Sequence, residues 1–109
     1  MQRLENIIFT GTVLAASALV KNRFIGFTDA TPAAGAACKG VAQDNAATGE
    51  TVGCKARGWM LVESGGAIAV EAQVQTDNLG RAITLAAGVP LGRALDAATA
   101  AGQLIRIDR

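Results

Sequence analysis

The chain contains no histidine among its 109 residues, and this absence excludes several kinds of chemistry. A hydrolytic triad needs a base beside its nucleophile, and that base is usually a histidine. The two cysteines, Cys38 and Cys54, are not spaced as a C-x-x-C pair, and no histidine completes a tetrahedral zinc set with them. The sequence therefore offers neither a nucleophilic triad nor a zinc site, and no cofactor is expected.

The cysteine pair itself leaves two interpretations open. A disulfide between Cys38 and Cys54 is compatible with the sequence, because spacing along the chain says nothing about distance in the fold. Two small buried thiols are the favoured interpretation, since free cysteine behaves as a small apolar residue.

Aromatic residues are also scarce. They make up 4% of the chain, whereas hydrophobic residues make up 50%, so alanine and valine supply much of the apolar content. Small side chains bury little area, and buried area is the main source of core stability. A chain of this length forms one domain, and a small domain with a weak core often gains stability by assembling. The composition therefore favours a homo-oligomer.

Charge is low and dispersed, with ten basic and nine acidic residues and a net charge of +1. Nucleic-acid binders usually concentrate positive charge on one surface, so no nucleic-acid partner is predicted. No window reaches the roughly 18 apolar residues that a membrane-spanning helix needs, so no membrane partner is predicted either. The opening stretch "MQRLENIIFTGTVLAASALV" is interrupted by polar residues, which favours a structured or partner-binding arm over a signal peptide.

The stretch "GETVGCKARG" (49–58) has part of a phosphate-binding loop, G-x-x-x-x-G-K-S/T. Gly49 and Lys55 fit the pattern. Cys54 stands where the second glycine is required, and Ala56 stands where a magnesium-binding hydroxyl is required. Because these departures remove the phosphate cradle and the metal ligand, the segment is not predicted to bind nucleotides.

Two segments resemble each other: "GVAQDNAATGETVGCKA" (40–56) aligns with "GRALDAATAAGQLIRID" (92–108). The matched positions are Gly40 and Gly92, Ala42 and Ala94, Asp44 and Asp96 and, after a shift of one residue, Gly49 and Gly102. Gly49 is therefore interpreted as a turn residue before a strand. The repetition predicts a single domain over 1–109, with repeat-like halves at 12–58 and 66–109 and an N-terminal arm over 1–11.

Short apolar stretches alternate with Gly, Asp, Asn and Pro at intervals near ten residues, which is typical of an all-β sandwich or barrel. The predicted strands are 6–14, 23–28, 37–43, 50–56, 58–63, 67–75, 81–86, 90–95 and 103–108. The segment "LDAATAAG" (95–102) is predicted as a loop with at most one helical turn.

Acidic residues are the remaining candidates for catalysis. Glu50, Glu63, Glu71, Asp77 and Asp96 fall mainly in predicted turns or on exposed strand faces, so solvated carboxylates are favoured over a catalytic pair. Asp44 and Asp96 occupy matched repeat positions, which predicts hydrogen bonds to backbone amides of the following loop. We do not expect an enzyme.

Two apolar features leave alternatives open. Trp59, the only tryptophan, is either an interface residue or a core residue between the halves. The N-terminal stretch "LENIIFTGTV" (4–13) is either the first strand of its own domain or an arm that adds a strand to a neighbour's sheet.

Taken in order, the N-terminal stretch "MQRLENIIFTGTVLAASALVKNRFIGFTDA" and the segments "GVAQDNAATGETVGCKARG", "LVESGGAIAVEAQVQTDNLGRAI" and "LGRALDAATAAGQLIRI" resemble the small capsid cement, or decoration, proteins of tailed bacteriophages. The resemblance covers nearly the whole chain. Some members of that family carry a recombinase label, which the missing phosphate loop contradicts.

The resemblance implies a non-enzymatic virion protein, commonly trimeric, that binds the outer surface of the mature head and bridges major capsid proteins. It further implies capsid contacts in the N-terminal segment. The predicted capsid or subunit interface consists of Arg3, Leu4, Ile7, Ile8, Phe9 and Trp59. The alternative function is another β-type virion module, associated with the tail or a fibre.

Overall fold

The computed structural model describes residues 4–109, which form eight β-strands and no helix. The strands are β1 (Asn6–Leu14), β2 (Phe24–Gly26), β3 (Cys38–Ala42), β4 (Thr51–Glu63), β5 (Gln73–Thr76), β6 (Ala82–Thr84), β7 (Gly92–Ala94) and β8 (Leu104–Asp108). The predicted all-β fold is confirmed. Within these residues there is also no helix with the length and apolar character to cross a membrane.

The strands form one sheet that curves into a nearly closed barrel. Hydrogen-bonded neighbours follow the order β2-β3-β4-β8-β7-β5-β6, and β1 pairs with β4 outside this path. The two ends of the sheet meet where the amide of Phe24 donates to the carbonyl of Gly80 at 2.7 Å. A second link, from the amide of Gly35 to the carbonyl of Thr76, is 2.9 Å long. These links reduce the length of free strand edge, which otherwise invites aggregation.

Strand β4 is the longest strand and joins the two sides of the barrel. The sequence predicted two strands here, 50–56 and 58–63, but the structure has one strand that continues through Gly58. Its early part pairs with β1 and β3, and its last five residues pair with β8. Gly58 has a φ of 119°, and its backbone exchanges hydrogen bonds with Arg109 at 2.9 and 3.1 Å. Glycine alone adopts this φ readily, so it lets the strand bend without ending.

Another predicted strand is shorter than expected. The prediction over 67–75 is wrong for 67–72, because only Gln73–Thr76 is a strand. Glu71 has a φ of 73°, in the left-handed region, which interrupts an extended chain. Upstream of it, Ile68 forms an isolated antiparallel bridge with Ala98. The segment 95–102 contains turns and bends without a helix, in agreement with the predicted loop.

Backbone geometry recurs between the first and second parts of the chain. Reciprocal hydrogen bonds join Leu19 to Ala46 at 2.8 and 3.0 Å, and Ile68 to Ala98 at 2.9 Å in each direction. Residues with positive φ also recur. Asn22 and Glu71 have φ values of 64° and 73°. Gly49 and Gly102 have φ values of 90° and 85°. The division at 12–58 and 66–109 stays a prediction, and β4 runs across its internal boundary.

The barrel interior consists of two apolar clusters. The larger contains residues from both halves, and the smaller lies under the first half. Strand β4 contributes to both, with Val52 and Cys54 in the smaller cluster and Met60 and Val62 in the larger. Alternation along the strand places these four side chains on the inner face, as period two requires. One strand therefore contributes side chains to both clusters of the core.

We predict that Gly58→Ala destabilises the barrel by about 2–3 kcal/mol. A Cβ at this position would lie 2.3 Å from the carbonyl oxygen of Asn6 and 2.9 Å from the amide nitrogen of Ile8. Both are backbone atoms of the paired strand, so they move only if β1 shifts. Urea unfolding monitored by the fluorescence of Trp59 measures the loss.

Gly66→Ala is the matched control for this substitution. A Cβ at Gly66 meets no atom within 4 Å, so the change should alter the free energy of unfolding by less than about 0.5 kcal/mol. Equal effects of the two substitutions would contradict a special role for Gly58.

Candidate functional site

The lysine of the phosphate-loop-like stretch is buried in the fold. The side chain of Lys55 is 5% exposed, and its ammonium group forms an ion pair with Glu5. It also donates to Oδ1 of Asn22 at 3.1 Å and to the carbonyl of Leu61 at 3.4 Å. A lysine with these partners is not available to a phosphate group, which agrees with the predicted absence of nucleotide binding.

Glu5 links the start of the chain to strand β4. Its Oε1 accepts hydrogen bonds from Nζ of Lys55 and from the amide of Leu61, the latter at 2.8 Å. From Asn6 onwards, β1 pairs with β4, so Asn6 lies opposite Trp59 and Leu14 lies opposite Thr51. Of the two roles that the sequence left open for this segment, the structure shows the first strand of its own domain. Residues 1–3 of the predicted arm, including Arg3, lie outside the described residues.

Large apolar side chains are exposed around the first half of β1. Ile8 is 81% exposed, and the other members of the group are also well exposed: Leu4, Phe9, Phe27 and Trp59. We call these five residues the β1 surface. Trp59 lies on β4 opposite Asn6, and Phe9 and Phe27 line one concavity. Contiguous exposed apolar patches on small proteins commonly mark interaction sites.

The exposure of Ile8 and Phe9 follows from irregular strand pairing. Ile7 lies opposite Gly58 and Phe9 lies opposite Arg57, so Ile8 is an additional residue on β1. Such a bulge turns neighbouring side chains away from strict alternation. Ile7, which was predicted to join the interface, is instead half-buried and packs against the larger core cluster. It packs between the core and the β1 surface, and little of its side chain is exposed to solvent.

Trp59 is 45% exposed, so it is a surface residue and not the core residue that the sequence allowed as an alternative. The guanidinium of Arg106 lies 5.8 Å from the centre of its ring, within the range of a cation–π contact. Asp96 holds that guanidinium through two hydrogen bonds of 3.0 Å each. The hydrogen bonds that Arg106 donates to Asp96 raise the pKa of Arg106, which favours its charged form.

Phe27 is the member of the β1 surface that the sequence analysis missed. The stretch "FIGFT" was read as part of a strand over 23–28, but β2 ends at Gly26. Phe27 follows in a turn and is 64% exposed. The signal that could have found it is a second phenylalanine directly after a glycine, where a strand often ends.

The acidic residues have structural roles. Glu63 pairs with Arg23 at 3.1 Å, and Asp77 pairs with Arg81 at 3.0 Å. Of the two repeat-matched aspartates, Asp44 accepts a hydrogen bond from the adjacent amide of Asn45, at 2.8 Å. Asp96 accepts from the amide of Arg106 on β8, whereas the prediction placed such a bond in the following loop. No group of three potential metal-ligating side chains occurs within residues 4–109.

Both cysteines are free and buried, which confirms the interpretation as two small thiols. Burial raises the pKa of Cys38 to about 11, with Arg109 opposing the shift. Burial likewise raises the pKa of Cys54. Both thiols are therefore protonated at neutral pH and are poor nucleophiles.

The family of the chain is shown by comparison with known proteins. The model of the phage cement protein family matches residues 4–109. The chain belongs to the phage cement protein family. It is a structural protein of the phage virion, located at the head, as the sequence resemblance predicted. No curated protein matches the chain.

A solved structure of similar fold comes from another phage. The crystal structure of the head fibre gp8.5 N base of bacteriophage phi29 matches with a TM-score of 0.76 and 20% sequence identity. The match covers 92% of each chain. At this level of identity, the likeness shows that the cement protein and the head fibre base share a fold.

We predict that Glu5→Gln destabilises the protein by about 1–3 kcal/mol, because it leaves the Lys55 ammonium buried without a counter-charge. The partial exposure of Glu5 places the loss below that of a fully buried pair. Adding Lys55→Met should recover part of the loss, and urea unfolding of the three variants measures the coupling. Glu71→Gln, at an exposed position, is the control. Additive effects of Glu5→Gln and Lys55→Met would contradict the ion pair.

We predict that neither thiol of the folded protein reacts with a disulfide reagent at pH 8, whereas both react after unfolding in guanidinium chloride. The folded pKa of Cys38, about 11, exceeds its ordinary value of 9.0, so the folded state holds this proton more tightly. The resulting stability is present below pH 9.0 and is lost as the pH rises towards about 11. Rapid labelling of the folded protein at pH 8 would contradict this prediction.

Proposed function

We propose that this cement protein binds the outer surface of the mature head and stabilises the major capsid protein lattice through the β1 surface. The observation that carries the proposal is the exposure of the five apolar side chains of the β1 surface, among them Ile8, which at 81% is the most exposed large apolar side chain in the described chain. Trp59 is the expected centre of the contact, because tryptophan is enriched among residues that dominate binding energy.

The energetics suit a protein present in many copies. A protein that binds the expanded lattice and not its precursor stabilises the expanded form by mass action. When several copies of the protein are linked, their contacts with the head act together, so that a modest affinity at each site is enough for stable binding. We further propose a homotrimer, in which a threefold arrangement presents three equivalent β1 surfaces to the lattice. The small side chains of the core support assembly as an additional source of stability.

A second candidate function is a base that attaches a fibre to the head. The observation that favours it is the fold shared with the head fibre base of bacteriophage phi29. In that case, the β1 surface contacts the capsid and a different surface receives the fibre. The two functions differ in where, and in how many copies, the protein occurs on the virion.

Co-sedimentation with expanded shells of the phage's major capsid protein tests the proposal. We expect saturation at a fixed ratio of cement protein to capsid subunit, and we expect Ile8→Ser to weaken binding about tenfold. Leu14→Ser is the matched control, since Leu14 is also exposed but lies about 20 Å further along β1.

Two results would count against the proposal. If folded protein does not bind expanded shells, the function lies elsewhere in the virion. If Ile8→Ser and Leu14→Ser bind as well as the unaltered protein, the β1 surface is not the contact.

A further inference from the structure

We propose that the concavity beside the β1 surface binds a carboxylate-bearing side chain of a protein partner, together with an adjoining apolar group. This inference rests on the proposed function for the partner being the major capsid protein. The binding chemistry itself can be tested on the isolated cement protein.

The concavity lies between β1, β3 and β4 and has a volume of about 460 Å³. Its lining includes the apolar side chains of Phe9, Val13 and Phe27. It also includes three cations, Lys39, Arg57 and Arg109, and no acidic residue is among the lining residues in the described chain. A ligand with both an apolar part and a negative charge fits this lining.

Arg109 is the least satisfied polar group in the described chain. Its Nε and Nη1 atoms are buried and have no hydrogen-bond partner within residues 4–109. Only Nη2 donates, to the carbonyl of Cys38 at 3.2 Å. Buried guanidinium groups are normally paired, because an unpaired charge is costly to remove from water. Burial, and the nearby charge of Arg57, lower the pKa of Arg109, which reflects the missing counter-charge.

The neighbouring cations show which charges remain uncompensated. Lys39 forms an ion pair with Asp29 of the same chain. Arg57 is exposed on β4, and it takes part in none of the ion pairs among residues 4–109. A carboxylate that binds Arg57 in a bidentate manner also places negative charge close to Arg109. One incoming carboxylate therefore interacts favourably with both cations.

A second, shallower concavity of about 390 Å³ shares Arg57 and Arg109 with the first and adds Arg93 and Asp108. The acidic residues Asp29 and Asp108 stand at the borders of the cationic region and repel an extended polyphosphate. The apolar side contributes nothing to binding a nucleic-acid backbone. Both features favour a single carboxylate on a protein over DNA or RNA. Phe9 lines the first concavity and belongs to the β1 surface, so one partner surface can occupy both.

The test is a titration of ¹⁵N-labelled protein with 3-phenylpropionate, which joins a carboxylate to an apolar ring. We expect saturable shifts of the amide signals of Phe9, Lys39, Arg57 and Arg109, with a dissociation constant in about the millimolar range. The uncharged 3-phenylpropionamide and inorganic phosphate should each bind at least about fivefold more weakly.

Three variants sharpen this test. Arg57→Gln and Arg109→Met should each weaken 3-phenylpropionate binding about fivefold or more. Lys21→Gln removes the same charge from an exposed position outside the concavity and should leave binding unchanged. Thermal unfolding checks that each variant is folded. Because the buried Nε and Nη1 atoms of Arg109 have no hydrogen-bond partner within residues 4–109, Arg109→Met should melt no lower than the unaltered protein.

The proposal is overturned if 3-phenylpropionate produces no saturable shifts, if phosphate binds as well, or if Arg57→Gln and Arg109→Met bind like Lys21→Gln. In co-sedimentation with expanded shells, Arg57→Gln should bind more weakly than Lys21→Gln. Equal binding of these two variants to shells would exclude the capsid carboxylate as the ligand. Failure of all proteins to bind shells would instead remove the proposed function, while the titration would still decide whether the site binds carboxylates.

Discussion

One thirteen-residue strand holds the barrel together, because β4 pairs with β1 and β3 along its early part and with β8 along its last part. Both core clusters take side chains from it. The strand bends at Gly58, between the part that pairs with β1 and β3 and the part that pairs with β8. At this residue the backbone also exchanges hydrogen bonds with Arg109. Next to this bend, Lys55 and Glu5 tie the start of the chain to the same strand. The position of β1, and with it the candidate interface, depends on these contacts.

The same strand generates the surface that we assign to binding. Where β4 bends, the pairing with β1 becomes irregular, and the bulge at Ile8 turns apolar side chains outwards. Trp59 follows Gly58 directly and faces solvent beside Arg106. The unpaired guanidinium of Arg109 lies at the same junction. Irregularity, exposed apolar area and an unsatisfied charge thus coincide at one place, and proteins tend to break local packing rules at functional sites.

Much of the fold could be predicted from local signals in the sequence. Turn residues at regular intervals indicated an all-β domain, and Gly49 indeed has the positive φ of a turn residue. The continuity of β4 was missed because a glycine in a strand pattern also signals a break. Conversely, a strand was predicted over 67–72 where none forms, since the left-handed conformation of Glu71 has no signal in an apolar stretch.

The site was less predictable than the fold, for physical reasons. Leu4, Ile8, Phe9 and Trp59 were singled out as apolar residues of an N-terminal segment and a lone tryptophan, and they are exposed. A bulge decides whether Ile7 or Ile8 points inwards, and no sequence pattern specifies its position. The burial of Lys55 depends on Glu5, fifty residues away along the chain. Likewise, the buried Nε and Nη1 atoms of Arg109 are left without hydrogen-bond partners by the packing of strands that are distant in the sequence.

The central claim is that the protein covers the phage head as a structural component. Cryo-electron microscopy of the virion, at a resolution that places the barrel, tests this claim most directly. The account predicts density for the protein over the whole head lattice, with Ile8 and Trp59 against the major capsid protein. Density confined to the tail or to isolated fibre attachment points would contradict it.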